Sequence, residues 1–201
     1  MPKVSEEHAL ARRQQIIDAA YRCFARKGFH QATMRDIYEE ADLSPGAVYH
    51  YFDSKHAIVA ASFDFDYRRS KELFAAAAEN ADPLQALTEL LEFLFAGLKG
   101  AAELHAGNVN VQGWGEAMVN PALRETVQRM LETYRGITAE IIRQAQAKGQ
   151  VHAEIDAEAF AGALLSLYYG LELQLALDPA LDVDGYAATV KLLLRRVERG
   201  D

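Results

Sequence analysis

Apolar residues return every three or four positions along almost the whole of this chain, and nowhere does a β-branched alternation persist. That period lines up one face of an α-helix, whereas a half-buried strand needs a period of two. The expected fold is therefore all-α. A first helix is expected from about Glu6 to Lys27, with Ile17, Ala20, Tyr21 and Phe24 on one stripe and Gly28 as its stop. Thr33-Met34-Arg35-Asp36 then reads as a capping-box start, with Asp in place of the usual Glu, opening a short helix with Met34, Ile37 and Ala41 inward. After Asp42-Leu43 comes Ser44-Pro45, a serine cap followed by proline at the first helical position, where a missing N–H costs nothing.

Two short helices joined by a turn of about three residues, behind a longer one, make a helix-turn-helix unit. In its second helix Val48 and Phe52 fall inward, Gly46, Ala47 and His50 outward, and Tyr49 and Tyr51 at the borders. Such a small outward face can approach a groove closely, and it also suits a helix that merely faces solvent. Asp53-Ser54 caps a fourth helix with Lys55 in its first turn. A cation there opposes the helix dipole, which favours an anion such as a phosphate at that end.

Charge is unevenly distributed. The formal net charge is −8, but residues 1–55 carry eight Lys/Arg against eight Asp/Glu, which leaves the whole excess to the remainder. A nucleic-acid surface on the neutral part requires segregation. Arg12, Arg13, Arg22, Arg26, Lys27, Arg35 and Lys55 are available to one side, and Glu39, Glu40 and Asp42 to another.

The stretch from Thr33 to Lys55, ending in "SPGAVYHYFDSK", resembles the DNA-binding domain of the TetR family of bacterial transcriptional regulators. The preceding "IIDAAYRCFARKGFHQATMRDIYEEADLS" agrees in spacing. The resemblance implies a homodimer on a palindromic operator of double-stranded DNA. It also implies a helical C-terminal domain holding a small-molecule effector, and repression relieved by that effector. Ser44, Gly46, Ala47, Tyr49 and His50 match recognition-helix positions that meet DNA, Thr33 and Arg35 match backbone contacts, and Lys55 matches a phosphate contact. Ala47 stands where the family often has threonine, which leaves at most a methyl contact there. The implied organisation is a helix-turn-helix domain over residues 1–53 and an effector-binding and dimerisation domain over 54–201.

Beyond residue 60 the likeness is one of architecture. A fourth helix is expected from about Ser54 to Asn80, and a fifth from Pro83 that is apolar nearly all round. After Gly100 an irregular segment is expected, because Gly107, Gly113 and Gly115 surround the single tryptophan, Trp114. In the family reading this segment is the mouth of the effector pocket. Phe63, Tyr67, Phe95, Trp114, Met118 and Tyr134 are the candidate ligand contacts, with His105, Asn108, Asn110 and Gln112 as possible polar groups. The same residue types serve as plain core in most helical proteins. Pro121 is expected to open a long helix. The last two helices, about Asp156–Leu177 and Asp184–Arg199, carry more apolar stripes than one core uses, and the family supplies a two-fold four-helix bundle for the surplus. With few internal charges expected, the effector reading leans to a neutral or anionic apolar ligand.

Motifs for catalysis are missing. The sequence holds no phosphate-cradling Gly-rich loop, no H-E-x-x-H and no G-x-S-x-G, and its histidines have no metal-ligand grouping apart from His50 and His56, six apart. Neither enzyme activity, a cofactor nor a metal is expected. A helical small-molecule enzyme or an interaction adaptor without DNA binding stands as the alternative. The apolar run "ALLSLYYGLELQLAL" is cut by Glu172 and Gln174, so no membrane span is expected. The N-terminus lacks a signal-peptide pattern, so the expected location is cytoplasmic.

Overall fold

The computed structural model describes residues 6–103 and 107–197, and their side chains other than those of residues 6, 65–70, 101–103, 107–108 and 197. The chain divides into two compact units, residues 1–66 with 108–127, and residues 67–107 with 128–201. Among the described residues every regular element is a helix.

In the first unit, α1 (Glu6–Gln31) buries Ile16, Ala19, Ala20, Cys23 and Phe24 along one face. The helix does not simply stop at Gly28. It breaks there, at φ 75° and ψ 158°, and one more turn runs on to Gln31. That φ lies in the left-handed region, which glycine enters without a Cβ penalty. Next come α2 (Met34–Glu40), α3 (Pro45–Tyr49) and the first part of α4 (Lys55–Ala78). Ile37, Val48 and Ile58 are each fully buried, so all three helices share one small core with α1.

The same unit contains α6 (Gly107–Val119) and the start of α7 (Pro121–Ala147). The irregular segment expected around Trp114 is thus a regular helix. Gly113 is there for packing: a Cβ added to it would lie 2.9 Å from the ring of Phe63. Pro121 opens α7 as expected, behind Asn120, whose Oδ1 accepts from the Ala122 and Leu123 amides.

The second unit is built on α5 (Pro83–Glu103), α8 (Ala157–Leu177) and α9 (Val183–Val197), with the later parts of α4 and α7. α5 packs on both α8 and α9, and Leu87, Leu91, Phe95, Ile142, Leu164, Leu171 and Val190 lie in one continuous core. The end of α7 is closed by Gly149 at φ 72°, with the Gln150 amide reaching back to the Ala145 carbonyl at 2.9 Å. Asp156 caps α8 by accepting from the Ala159 amide at 2.8 Å. Thr138 is 3 % exposed and its hydroxyl has no hydrogen-bond partner among the described residues.

α8 divides as its stripes suggest. Leu164, Leu171 and Leu175 are buried, while Leu173 and Leu177 are exposed, as are Leu192 and Leu193 of α9. By length and composition α8 is the single described helix apolar enough to cross a membrane, despite Glu172 and Gln174 near its end. Glu172 is 4 % exposed, the one charged side chain buried in this unit among the described residues. Tyr169 lies close to it, and burial foremost, with Tyr134, Tyr168 and Glu172 adding to it, pushes its phenol well above the ordinary value.

Candidate nucleic-acid interface

Local capping chemistry builds the turn between α2 and α3. Thr33 Oγ1 accepts from the Asp36 amide at 3.1 Å, and Asp36 Oδ2 accepts from the Thr33 amide at 2.8 Å, so the box closes with Asp in the place of Glu. Asp36 also receives Lys27 Nζ at 2.6 Å. Lys27 first, and then the Thr33 amide and hydroxyl, hold its carboxyl well below the usual range. Asp42 takes the left-handed conformation at φ 53°, and the chain turns there so that the Leu43 amide reaches the Tyr38 carbonyl at 3.0 Å.

Ser44 then caps α3, its Oγ accepting from the Ala47 amide at 3.2 Å, with Pro45 in the first turn. Val48 and Phe52 hold the helix down, at 0 % and 3 % exposed. On the other side Ser44, Gly46, Tyr49 and His50 are exposed and Ala47 half-buried. A Cβ at Gly46 would meet nothing within 4 Å, so the smallness of this face is not required by the protein's own packing. The His50 ring stands edge-on to Tyr51 at 5.0 Å. Thr33 and Arg35 are exposed on α2, and Arg35 Nε donates to Glu39 at 2.8 Å.

Lys55 is placed differently from the phosphate position expected of it. Its ammonium donates to the carbonyls of Phe29 and Ala32, each at 2.7 Å, and of His30 at 3.3 Å, and it lies 4.7 Å from the Phe29 ring centre. An ammonium has three N–H bonds, and here all three have acceptors. Lys55 caps the end of α1 and stands at that carbonyl-rich terminus as a favourable charge.

Most of the other charges are paired with one another rather than kept apart on two sides. Arg22 and Arg26 both bind Glu40, Lys27 binds Asp36, and Arg35 binds Glu39. Arg124 Nε donates to the Ala117 carbonyl at 3.2 Å and its Nη2 to that of Met118.

On α6, Gln112 Oε1 accepts from the Phe29 amide at 2.6 Å, and buried Glu116 holds His30 Nε2 at 3.2 Å and His56 Nε2 at 3.1 Å. Asn110 Oδ1 lies 3.3 Å from the Tyr21 hydroxyl. Sequence reasoning passed over Glu116, although its four-residue spacing from Gln112 put both on one helix face.

The candidate ligand residues scatter. Phe63 is buried with its ring 5.5 Å from that of Trp114 in the first unit. In the second unit Tyr134 stacks on Phe74 at 4.8 Å, and Phe95 packs beside Tyr168 and Tyr186. Met118, expected in the pocket, stands at the surface, 72 % exposed, because α6 stays helical to Val119 and carries it into the last turn. The side chain of Tyr67 and all of His105 lie outside the described residues, as does the side chain of Asn108.

Residues 16–62 match the family of bacterial regulatory proteins described as tetR family, and residues 83–199 match the C-terminal family of BetI-type transcriptional repressors. The chain belongs to the TetR family. Two TetR-family relatives show the extent of the likeness. The HTH-type transcriptional repressor Rv1474c of Mycobacterium tuberculosis is 34 % identical over 63 % of this chain and 68 % of its own length. The HTH-type transcriptional regulator UidR of Escherichia coli is 30 % identical over 79 % of each. Among solved structures, the transcriptional regulator FadR from Bacillus subtilis in complex with stearoyl-CoA shares the fold, with a TM-score of 0.76 at 22 % identity over 90 % of this chain and 96 % of that one. The protein is accordingly a DNA-binding transcriptional regulator of helix-turn-helix type.

Proposed function

We propose that the protein is a repressor that binds a palindromic operator as a homodimer and leaves it when a small, largely apolar effector binds. The observation that carries the DNA reading is α3: five residues long, fixed by Val48 and Phe52 on one side and presenting Ser44, Gly46, Tyr49 and His50 on the other. Residues 1–53 form the DNA-binding domain. Ser44, Gly46, Ala47, Tyr49 and His50 meet the groove, and Thr33 and Arg35 meet the backbone. One such helix reads too few base pairs to be specific alone, which is why a second copy is needed. The exposed leucines of α8 and α9 supply the surface for it, inside a domain that spans residues 54–201. Effector contacts fall to Phe95 and Tyr134, buried in the second unit, and α4 carries the change to the helix-turn-helix.

Footprinting of the DNA upstream of the protein's own gene tests this. Two protected half-sites about 34–36 Å apart, or somewhat more if two dimers bind, are the expected result. Protection of a single asymmetric half-site refutes the dimer reading, and no protection anywhere refutes the function. Trp114 gives the second arm: compounds that quench its fluorescence should weaken DNA binding roughly 5–150-fold, the range of a coupling of about 1–3 kcal/mol.

A further inference from the structure

We propose that Arg12 and Arg13, on the first half of α1, are the cations that take the DNA phosphates flanking α3. This inference rests on the DNA-binding reading above and assigns residues that neither the motif nor the family resemblance singled out.

The first observation is a charge account of the first unit. Arg22, Arg26, Lys27 and Arg35 each sit on a carboxylate, and Lys55 and Arg124 are committed to backbone carbonyls. A cation already neutralised offers little field to an incoming phosphate, and breaking its pair offsets what the new contact gains. Among the described arginines and lysines of this unit that leaves Arg12 and Arg13, neither on a carboxylate nor held by more than one hydrogen bond. Arg12 donates to the neutral Gln15 side chain at 2.7 Å, and Arg13 to a single carbonyl, that of Tyr51, at 3.5 Å.

The second observation is where these two side chains are held. The Arg13 guanidinium lies 4.5 Å from the centre of the Phe52 ring, which fixes its plane next to the end of α3, two residues from exposed His50. Arg12 is tied through Gln15, whose Nε2 donates to the Ala41 carbonyl at 2.8 Å, to the entrance of the turn before α3. Arg13 is therefore held just past the end of α3, and Arg12 is linked through Gln15 to the end of α2, where the turn into α3 begins. A guanidinium carries five N–H donors in a planar fork, and stacking on a ring leaves its edge available to phosphate oxygens. Holding the fork in place before DNA arrives lowers the ordering cost of the contact.

Salt-dependent DNA binding tests the assignment, on the genomic duplex that the wild-type protein protects. Each phosphate contact contributes about 0.9 to the slope of log K against log salt. R12M and R13M should each reduce the slope by about 0.9 per protomer, weaken binding several-fold at low salt, and leave the order of preference among operator variants unchanged. R13K should keep most of the slope, because it keeps the charge. A merely structural role for Arg13 gives a different pattern: R13M would unfold at a lower temperature and bind less well with the wild-type slope, and R13K would not restore binding. That pattern, or wild-type slopes in both methionine variants, overturns the assignment while the DNA-binding reading stands. Should the wild-type protein protect no duplex, the inference falls together with that reading.

Discussion

Replacing Lys55 with methionine separates two roles that one lysine could play at this position. The ammonium holds the Phe29, His30 and Ala32 carbonyls at 2.7–3.3 Å, where α1 ends after its break at Gly28. A hydrogen bond to a charged group is worth about 1.5–3 kcal/mol, and a cation at a helix C-terminus about 0.3–1 kcal/mol. These contributions overlap because one charge makes them all, and water can reach part of the site, so the loss should be about 2 kcal/mol. Methionine keeps an unbranched stem of similar length, which confines the change to the ammonium, its hydrogen bonds and its contact with the Phe29 ring. In a chain of this size roughly 2–4 °C follows each kcal/mol, so the midpoint should fall by about 4–8 °C. Circular dichroism on heating measures that, and salt titration of DNA binding measures the rest. With the ammonium on carbonyls, the salt slope stays at the wild-type value wherever the variant is folded. An unchanged midpoint together with a slope reduced by about 0.9 per protomer would place Lys55 on phosphate and refute the capping argument.

Three further outcomes follow from particular contacts. Asp36 is held below its ordinary value by Lys27 and Thr33 in the folded protein, so its contribution is complete above about pH 4, the unfolded Asp value, and declines as pH falls toward the folded value. The midpoint of D36N should therefore lose less between pH 5 and pH 3 than that of the wild type, and parallel curves would contradict the linkage. T138V removes a buried hydroxyl that has no partner among the described residues and keeps its shape, so denaturant unfolding should show about 1 kcal/mol of added stability; a loss would mean the hydroxyl is satisfied. G113A gains about 1 kcal/mol of helix propensity but drives a methyl group to 2.9 Å from the Phe63 ring, an overpacking cost of about 1–3 kcal/mol. Lower stability with shifted Trp114 emission is expected, and a more stable variant with unchanged emission would show that the ring moves freely.

Much of the DNA-binding head was legible because its chemistry is local. Thr33 with Asp36, and Ser44 with Pro45, declare two helix starts within a few residues of each other, and Val48 and Phe52 show which side of α3 is covered. What the order of residues does not declare is which cation meets which partner. Arg22 finds Glu40 eighteen positions later, and Lys55 finds carbonyls more than twenty positions earlier, so seven apparently available cations reduce to two. The helix around Trp114 escaped for a related reason. Three glycines are a breaker signal by composition, and only the ring of Phe63, fifty residues away in the chain, explains why one of them belongs inside a helix. Met118 and Tyr134 had equal claims as pocket residues by type, and tertiary placement alone put one at the surface and the other in the core.

The way α6 is fastened has a consequence for reversibility. Asn110, Gln112 and Glu116 join it to Tyr21, Phe29, His30 and His56 through amide, carboxylate, imidazole and hydroxyl groups. When such ties part, water takes up each vacated donor and acceptor, and the net loss is about 1 kcal/mol per hydrogen bond. A seam of leucines would instead leave a wet apolar stripe that seeks some other protein to cover it. Glycine at position 113 lets the Phe63 ring come close against the backbone of α6, where a Cβ would lie 2.9 Å from it. The polar half of the joint can therefore part and re-form at about 1 kcal/mol per hydrogen bond, while Val109, Ala117 and the Phe63–Trp114 contact form an apolar half that water does not replace.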